Sequence, residues 1–142
     1  MVETGEPTID GVNVDAIRDY LEEASLVFAV LFGSHARGSA HDTSDVDIAL
    51  RFPSEMDAYE RFTRRNRIDA DLQEYADGFV DVSDIESLPL PVAVAALRDG
   101  IVLVGDERAV TEYKRRVESD YDERATERER LEFIDRLARG DG

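Results

Sequence analysis

The sequence contains no cysteine and a single lysine, and it lacks long apolar runs. Without cysteine the chain forms no disulfide and offers no thiolate to a metal ion. Its longest unbroken apolar segment runs from Leu26 to Phe32, far short of the ~18 residues that a membrane-spanning helix needs. The first residues, MVETGEPTIDG, also lack the basic and apolar segments of a signal peptide. We therefore expect a soluble cytoplasmic protein that does not engage a membrane.

Basic residues are also scarce, because 33 Asp and Glu stand against 17 Lys and Arg, for a net charge of −16. Lys and Arg supply most of the affinity for a nucleic-acid backbone, so nucleic acid is not expected as the main partner. The composition is typical of cytosolic proteins from halophilic microbes, in which molar salt screens self-repulsion. A second interpretation, an acidic docking surface for a basic partner, stays open.

Two segments with different apolar patterns lie in the first half of the chain. The apolar run from Leu26 to Phe32 ends at Gly33 and Ser34, and the segment from Asp45 to Phe52 then alternates. In a strand, alternate side chains point to opposite faces. One face of the second strand therefore carries Val46, Ile48, Leu50 and Phe52, and the other carries Asp45, Asp47, Ala49 and Arg51. The pattern predicts a strand, a turn and a second strand that places two carboxylates on one face.

Two like charges held this close repel each other unless a cation offsets them. Mg²⁺ is commonly bound by one or two carboxylates together with phosphate oxygens of a substrate. A Gly-Ser turn before a short helix suits an anion, because Gly33 lets the backbone approach closely and helix amides point at it. The stretch is therefore typical of a site for magnesium and a phosphate-bearing substrate.

These residues resemble a known family. Gly33-Ser34-His35-Ala36-Arg37-Gly38 followed by Ser44-Asp45-Val46-Asp47 is similar to the GSxARG…SDxD signature of the minimal nucleotidyltransferase domain of the DNA polymerase beta superfamily. The chain is most similar there to the short antitoxins of HEPN–MNT toxin–antitoxin pairs. The resemblance implies a Mg²⁺-dependent transfer of AMP from ATP to a hydroxyl, such as a tyrosine of a cognate HEPN ribonuclease toxin. It also implies a hetero-oligomer of the two proteins.

The resemblance assigns roles to individual residues. Asp45 and Asp47 would bind two Mg²⁺ ions, and Gly33 and Ser34 would hold the β- and γ-phosphates. Arg37 could pair with phosphate oxygens or form a surface salt bridge. Ser44 is a candidate for nucleotide binding, although a turn or cap role suits it better. His35 and His41, six residues apart across a glycine turn, form no recognisable zinc pattern.

A third carboxylate is predicted in the segment from Phe79 to Ile85. If Val80 and Val82 join the apolar face of the sheet, Asp81 falls on the same face as Asp45 and Asp47. Asp84 is the rival, but its position in the alternation points it to the opposite face. Asp81 also matches the third acidic residue of the family, which would bind the ion that activates the hydroxyl and accept its proton.

The other segments complete a small α/β (α+β) fold. Asn13 to Asp15 opens a first helix, and Ser54 to Asp57 resembles a capping box before a helix with Met56, Tyr59 and Phe62 on one face. The stripe resumes at Ile68, Leu72 and Tyr75 after a polar stretch, which predicts a bend or two helices, and Gly78 is expected to follow the helix end. The next predicted elements are a short helix from Pro91 to Asp99, a strand from Ile101 to Val104 and a long C-terminal helix.

The predicted architecture is a mixed sheet of about four strands flanked by helices, the nucleotidyltransferase fold, with that long C-terminal helix. Residues 1–12 form an arm, 13–107 the nucleotidyltransferase core, 108–138 a helical extension and 139–142 a tail. The extension either docks on its own domain or binds a partner. Two alternatives to toxin modification stay open: an antitoxin that acts by binding alone, and a nucleotidyltransferase for small molecules such as aminoglycosides.

Overall fold

The structure, a computed structural model, describes residues 11–33 and 46–140. Its elements in chain order are α1 (Val14–Glu22), β1 (Phe28–Phe32), β2 (Val46–Arg51), α2 (Ala58–Leu72), β3 (Val80–Asp84), α3 (Leu90–Asp99), β4 (Ile101–Gly105) and α4 (Glu107–Ala138). Single 3₁₀ turns follow α2 and β3. The first helix begins where the sequence predicts, because the Asn13 side chain accepts a hydrogen bond from the Ala16 amide.

The four strands form one mixed sheet in the order β3-β2-β1-β4. Strand β1 is antiparallel to both of its neighbours, whereas β2 and β3 run parallel. A parallel pair needs a crossover connection, and α2 supplies it. The predicted mixed sheet of four strands is confirmed.

Both faces of the sheet are covered. The predicted apolar face of β2 is fully buried against α1 and α2, in a cluster that includes Ile17, Leu21, Val46, Ile48, Leu50, Phe52, Ile68 and Leu72. On the other face, Phe28, Val30 and Ala49 pack against α3 and the first turns of α4. The alternation in the sequence thus predicted which face of β2 makes the larger core.

The start of α2 differs from the prediction. Asp57, and not Ser54, caps the helix by accepting a hydrogen bond from the Glu60 amide. Tyr59 and Phe62 were expected on the buried face, but their exposed fractions are 77% and 62%. The helix contacts the sheet through Ile68 and Leu72 together with the polar side chains described next, so its aromatic residues turn outward.

The same helix is continuous, so the predicted division into two helices is wrong. It runs as one piece over Ala58–Leu72. The polar stretch in its middle includes Arg64, which donates to the Ala24 carbonyl after α1, and Arg65, which donates to the Val82 carbonyl of β3. The helical segment ends with the 3₁₀ turn Gln73–Tyr75, and Ala76 has extended backbone. It therefore ends before Gly78, and this glycine does not stand directly beyond the helix end.

The free edge of β3 is occupied by side chains of this connection. Gln73 donates to the Val80 carbonyl at 2.7 Å and accepts from the Val80 amide at 2.9 Å. Arg65 donates to the Val82 carbonyl. These bonds satisfy backbone groups that an edge strand otherwise leaves to solvent, and they fix β3 on both sides of Asp81.

The predicted long C-terminal helix is confirmed as α4, which has two unlike halves. Its first turns are buried through Val110, Tyr113 and Val117. From Tyr121 to the helix end every residue is exposed, including Leu131, Phe133, Ile134 and Leu137 at 52–57%. At 1.5 Å per residue the helix is about 48 Å long, so its second half extends beyond the core. None of the helices in the described ranges is long and apolar enough to cross a membrane.

Candidate active site

Two acidic residues on neighbouring strands face the same side of the sheet. Asp47 of β2 and Asp81 of β3 are register partners in the parallel pair. Side chains of such partners lie on the same face, on strands about 4.8 Å apart. Asp47 is half-buried and Asp81 is exposed. The two carboxylates therefore meet at one end of the sheet, as the alternation in the sequence predicts.

Gly33 lies directly against Asp47, the first member of this pair. Its φ is +84°, in the left-handed region that favours glycine. A Cβ atom at this position would come within 2.5 Å of Asp47 Oδ2. The glycine that ends β1 thus leaves the space into which the Asp47 carboxylate extends.

Asp84, the rival to Asp81, has a structural role. It is 6% exposed and accepts a hydrogen bond of 2.9 Å from Arg61 Nε on α2. Its second oxygen accepts from the Glu86 amide at 3.0 Å, which caps the 3₁₀ turn after β3. Both oxygens serve packing on the face opposite Asp81, as the period of the strand indicates.

Several predicted site residues lie outside the described residues. Ser34, Arg37, Ser44 and Asp45, and the two histidines His35 and His41, belong to residues 34–45. Their assigned roles stay predictions. Within residues 11–33 and 46–140 no group of three or more His, Cys, Asp or Glu side chains is arranged to hold a metal ion.

The described part of the site fits Mg²⁺ by the chemistry of its donors. Asp47 and Asp81 offer carboxylate oxygens side by side, the ligands that this hard cation prefers. The two negative charges repel each other when no cation is near, and the space beside Gly33 lets a ligand approach the backbone. A further carboxylate from Asp45, one residue before β2, would complete the predicted set.

Two residues that support the site were missed by the sequence analysis. Gln73 and Arg65 hold the backbone of β3 at Val80 and Val82, the immediate neighbours of Asp81. They position the carboxylate without contacting it. No local pattern marks them, because a glutamine and an arginine on a polar helix are ordinary surface residues until the crossover brings them to the strand.

The chain is similar to several known proteins. A family model described as polymerase beta, nucleotidyltransferase, matches residues 15–109. A search of curated proteins gives no significant match. Among solved structures, a chain of a toxin–antitoxin complex with AMP-PNP superposes with a TM-score of 0.68 at 25% identity, and the match covers 89% of this chain and 98% of that one.

Two further solved structures show the same fold. A chain from the complex of a tri-AMPylated Shewanella oneidensis HEPN toxin with its MNT antitoxin gives a TM-score of 0.59 at 20% identity, over 87% of this chain and 98% of that chain. A minimal nucleotidyltransferase gives 0.52 at 24% identity, over 62% of this chain and 86% of its own length. The match to the antitoxin complex covers 87% of this chain, so the structural similarity includes part of α4.

Proposed function

This chain belongs to the polymerase beta nucleotidyltransferase family, and from that premise we propose that it transfers AMP from ATP to a hydroxyl of a HEPN-family toxin and so acts as its antitoxin. The observation that carries the proposal is the in-register pair Asp47 and Asp81, with Gly33 against Asp47. Support for the partner comes from the similar chains, which belong to toxin–antitoxin complexes, one with AMP-PNP and one with an AMPylated toxin.

The residues of this chain would contribute in separable ways. Asp47 and Asp81 would hold Mg²⁺ at the α-phosphate, and Asp81, the more exposed of the two, would accept the proton of the attacking hydroxyl. Bound Mg²⁺ would supply charge neutralisation for the attacking and leaving oxygens. Gly33 would let the phosphates approach the end of β1, with Ser34, Arg37, Ser44 and Asp45 in their predicted roles. Positioning and charge neutralisation supply most of the rate in phosphoryl transfer.

The balance of the reaction is simple. The acceptor oxygen forms a bond to the α-phosphorus. The bond from that phosphorus to the oxygen that bridges the α- and β-phosphates breaks, and pyrophosphate leaves. The proton of the acceptor passes to a carboxylate and then to solvent. The AMP unit on the toxin would block the modified hydroxyl.

A second function is favoured by α4. Its exposed half carries four apolar side chains that no described residue covers. An antitoxin that neutralises a toxin by binding alone would use such a surface, and it would not need the carboxylates. The two mechanisms predict different results when the carboxylates are removed. Neutralisation of the toxin by AMP transfer would be lost, whereas neutralisation by binding would persist.

The deciding experiment incubates the protein with labelled ATP, Mg²⁺ and the product of the adjacent gene. We expect label on that protein and a mass increase of whole AMP units by mass spectrometry. The double variant Asp47→Ala, Asp81→Ala is expected to abolish both the label and the protection. Protection that persists in this variant would support the binding mechanism, and label on an aminoglycoside without a protein partner would support the small-molecule enzyme.

A further inference from the structure

A second polar pocket lies at the end of β2 that is remote from Asp47. Its volume is about 380 Å³, and its polar lining consists of Arg51, Ser54, Glu112, Tyr113 and Arg116. The pocket lies between the end of β2, the loop that follows it and the first turns of α4. Pockets of about 300–1,000 Å³ commonly hold small ligands.

Two guanidinium groups approach the same aromatic ring in this pocket. The Arg51 Cζ atom lies 4.3 Å from the centroid of the Tyr113 ring, and the Arg116 Cζ atom lies 5.2 Å from it. A ring face attracts cations, but two cations gathered at one ring also repel each other. In a chain with a net charge of −16, two arginines around one ring are an uncommon concentration of positive charge, although Glu112 also lines this pocket.

The Arg51 guanidinium has a hydrogen-bond donor without an acceptor among the described residues. Its Nη1 atom is buried and makes no hydrogen bond within the described ranges. It lies 3.3 Å from Glu86 Oε1, close enough for ionic attraction, but Glu86 also lies 4.0 Å from Arg61. One carboxylate is thus shared by two guanidiniums, and an unsatisfied buried donor costs free energy.

The other polar groups leave room for an anion. Arg116 forms no ion pair with any residue that the structure describes, and Glu112, although it lines the pocket, forms none either. Ser54 lines the pocket wall, is exposed and makes no hydrogen bond to any residue that the structure describes, so its hydroxyl can bond to a ligand. Two planar guanidinium forks and a hydroxyl match the several acceptor oxygens of a phosphate group.

We propose that this pocket binds a small phosphate-bearing ligand through Arg51, Arg116 and Ser54, at a site separate from the nucleotidyl-transfer centre. Asp47 and Arg51 are four residues apart on β2, which puts them about 13 Å from each other along the strand. The site requires neither Asp81 nor Mg²⁺. It therefore stands or falls independently of the proposed transfer activity.

The test is a titration of the full chain with inorganic phosphate, without Mg²⁺ or ATP and at constant ionic strength set by chloride. The side-chain Nε–Hε signals of Arg51 and Arg116 are followed by NMR, with Arg98, which is paired to Glu118 on the surface, as an internal reference. We expect saturable shifts of the first two signals and none of the third. Titration with AMP then tells whether phosphate alone or a nucleotide is preferred at these residues.

Variants of two pocket residues are expected to change the affinity for phosphate in opposite directions. Arg116→Gln, at an exposed position, lowers the affinity for phosphate at least tenfold, and Glu112→Gln raises it because a repelling carboxylate is removed. Arg124→Gln, on the exposed half of α4, makes the same charge change and leaves the affinity unchanged. Asp81→Asn also leaves it unchanged. The proposal is overturned by shifts that do not saturate, by an affinity that Arg116→Gln leaves intact, or by an equal loss in Arg124→Gln.

Discussion

Any residue larger than glycine at position 33 meets two separate penalties. The backbone has a φ of +84°, and a Cβ atom would collide with Asp47 Oδ2 at 2.5 Å. The carboxylate, as the end of a short side chain, would have to rotate away. A change at Gly33 therefore acts on the position of Asp47 as well as on stability.

We expect Gly33→Ala to lower the free energy of unfolding by about 1–2 kcal/mol from backbone strain and to reduce AMP transfer further by displacing Asp47. Chemical denaturation and the transfer assay measure the two effects. Gly140→Ala is the matched control, since Gly140 has a φ of +77° but no atom within 4 Å. An alanine at 33 that leaves both quantities unchanged would contradict the described contact.

Substitutions of the two aspartates of β3 are expected to affect different properties, Asp81 the transfer activity and Asp84 the stability. Asp81→Asn is expected to lower transfer on the order of 100-fold or more without loss of stability, because it removes a like charge beside Asp47. We also expect Mg²⁺ to raise the Tm of the wild type, since a ligand that binds the native state stabilises it, and Asp81→Asn to diminish this rise. Scanning calorimetry with and without Mg²⁺ gives this readout without any partner.

Asp84→Asn is the counterpart on the buried face. It removes the charge that Arg61 and the Glu86 amide share, and we expect a loss of about 1.5–3 kcal/mol in the free energy of unfolding. Transfer by the folded fraction should stay close to normal. If Asp84→Asn instead abolished transfer at full stability, the assignment of the third carboxylate would be wrong.

At the scale of elements, α1 and α2 are joined by a tyrosine whose titration is perturbed. The Tyr20 hydroxyl donates a hydrogen bond to Asp71. Burial first, and then the bond to Asp71 and its negative charge, raise the pKa of Tyr20 to about 12. A raised pKa in the folded state gives stabilisation that is complete below pH 10, the ordinary pKa, and is lost as the pH rises towards 12.

We therefore expect the difference in free energy of unfolding between the wild type and Tyr20→Phe to be constant below pH 10 and to shrink from pH 10 to pH 12. Urea denaturation at several pH values measures it. Tyr59→Phe, at an exposed position of α2, should follow the wild-type profile. A difference that grows with pH in this window would contradict the Tyr20–Asp71 bond.

The second half of α4 is expected to be dispensable for folding. The buried residues of this helix are Val110, Tyr113 and Val117, so deletion of residues 122–142 removes no core contact of the described residues. We expect the free energy of unfolding to change by less than ~1 kcal/mol and the affinity for the protein partner to fall at least tenfold. Denaturation and calorimetric binding test the two parts; an unchanged affinity would place the partner elsewhere on the surface.

The sequence predicted those elements in which local pattern and final environment agree. Strict alternation in β2 and β3 identified both the core face and the Asp47–Asp81 pair, because a strand has only two faces. The first helix was marked by Asn13 as its cap. These features need no knowledge of the distant parts of the chain.

The start of α2 was mispredicted because two signals were nearly equivalent. Ser54 and Asp57 are both good caps three residues apart, and the aromatic spacing of Tyr59 and Phe62 imitates a core face. Tertiary contacts decided between them: Arg61 reaches Asp84, which fixes how the helix lies on the sheet. The pocket around Arg51 and Tyr113 could not be predicted from the sequence either, because its two central residues are 62 positions apart in the chain.

For the whole molecule, the net charge makes stability depend on the salt concentration. A net charge of −16 on 142 residues makes self-repulsion extensive at low salt. Raising KCl from about 0.1 M to about 2 M shortens the Debye length from about 10 Å to a few ångströms, and we expect Tm to rise steadily. Near pH 4.4, where the net charge vanishes, the dependence of Tm on salt should be much weaker. A Tm that falls with KCl at pH 7 would contradict this expectation.

The side chains that fill the outer edge of β3 limit the ways in which another protein can recognise this one. Gln73 and Arg65 already bond to Val80 and Val82, so an incoming extended peptide finds no free ladder of amides and carbonyls there. β-Augmentation at the strand that carries Asp81 would first require α2 to be displaced. In the proposed transfer reaction, the acceptor hydroxyl would therefore reach Asp81 without adding a strand to the sheet, presented by a loop or a helix end.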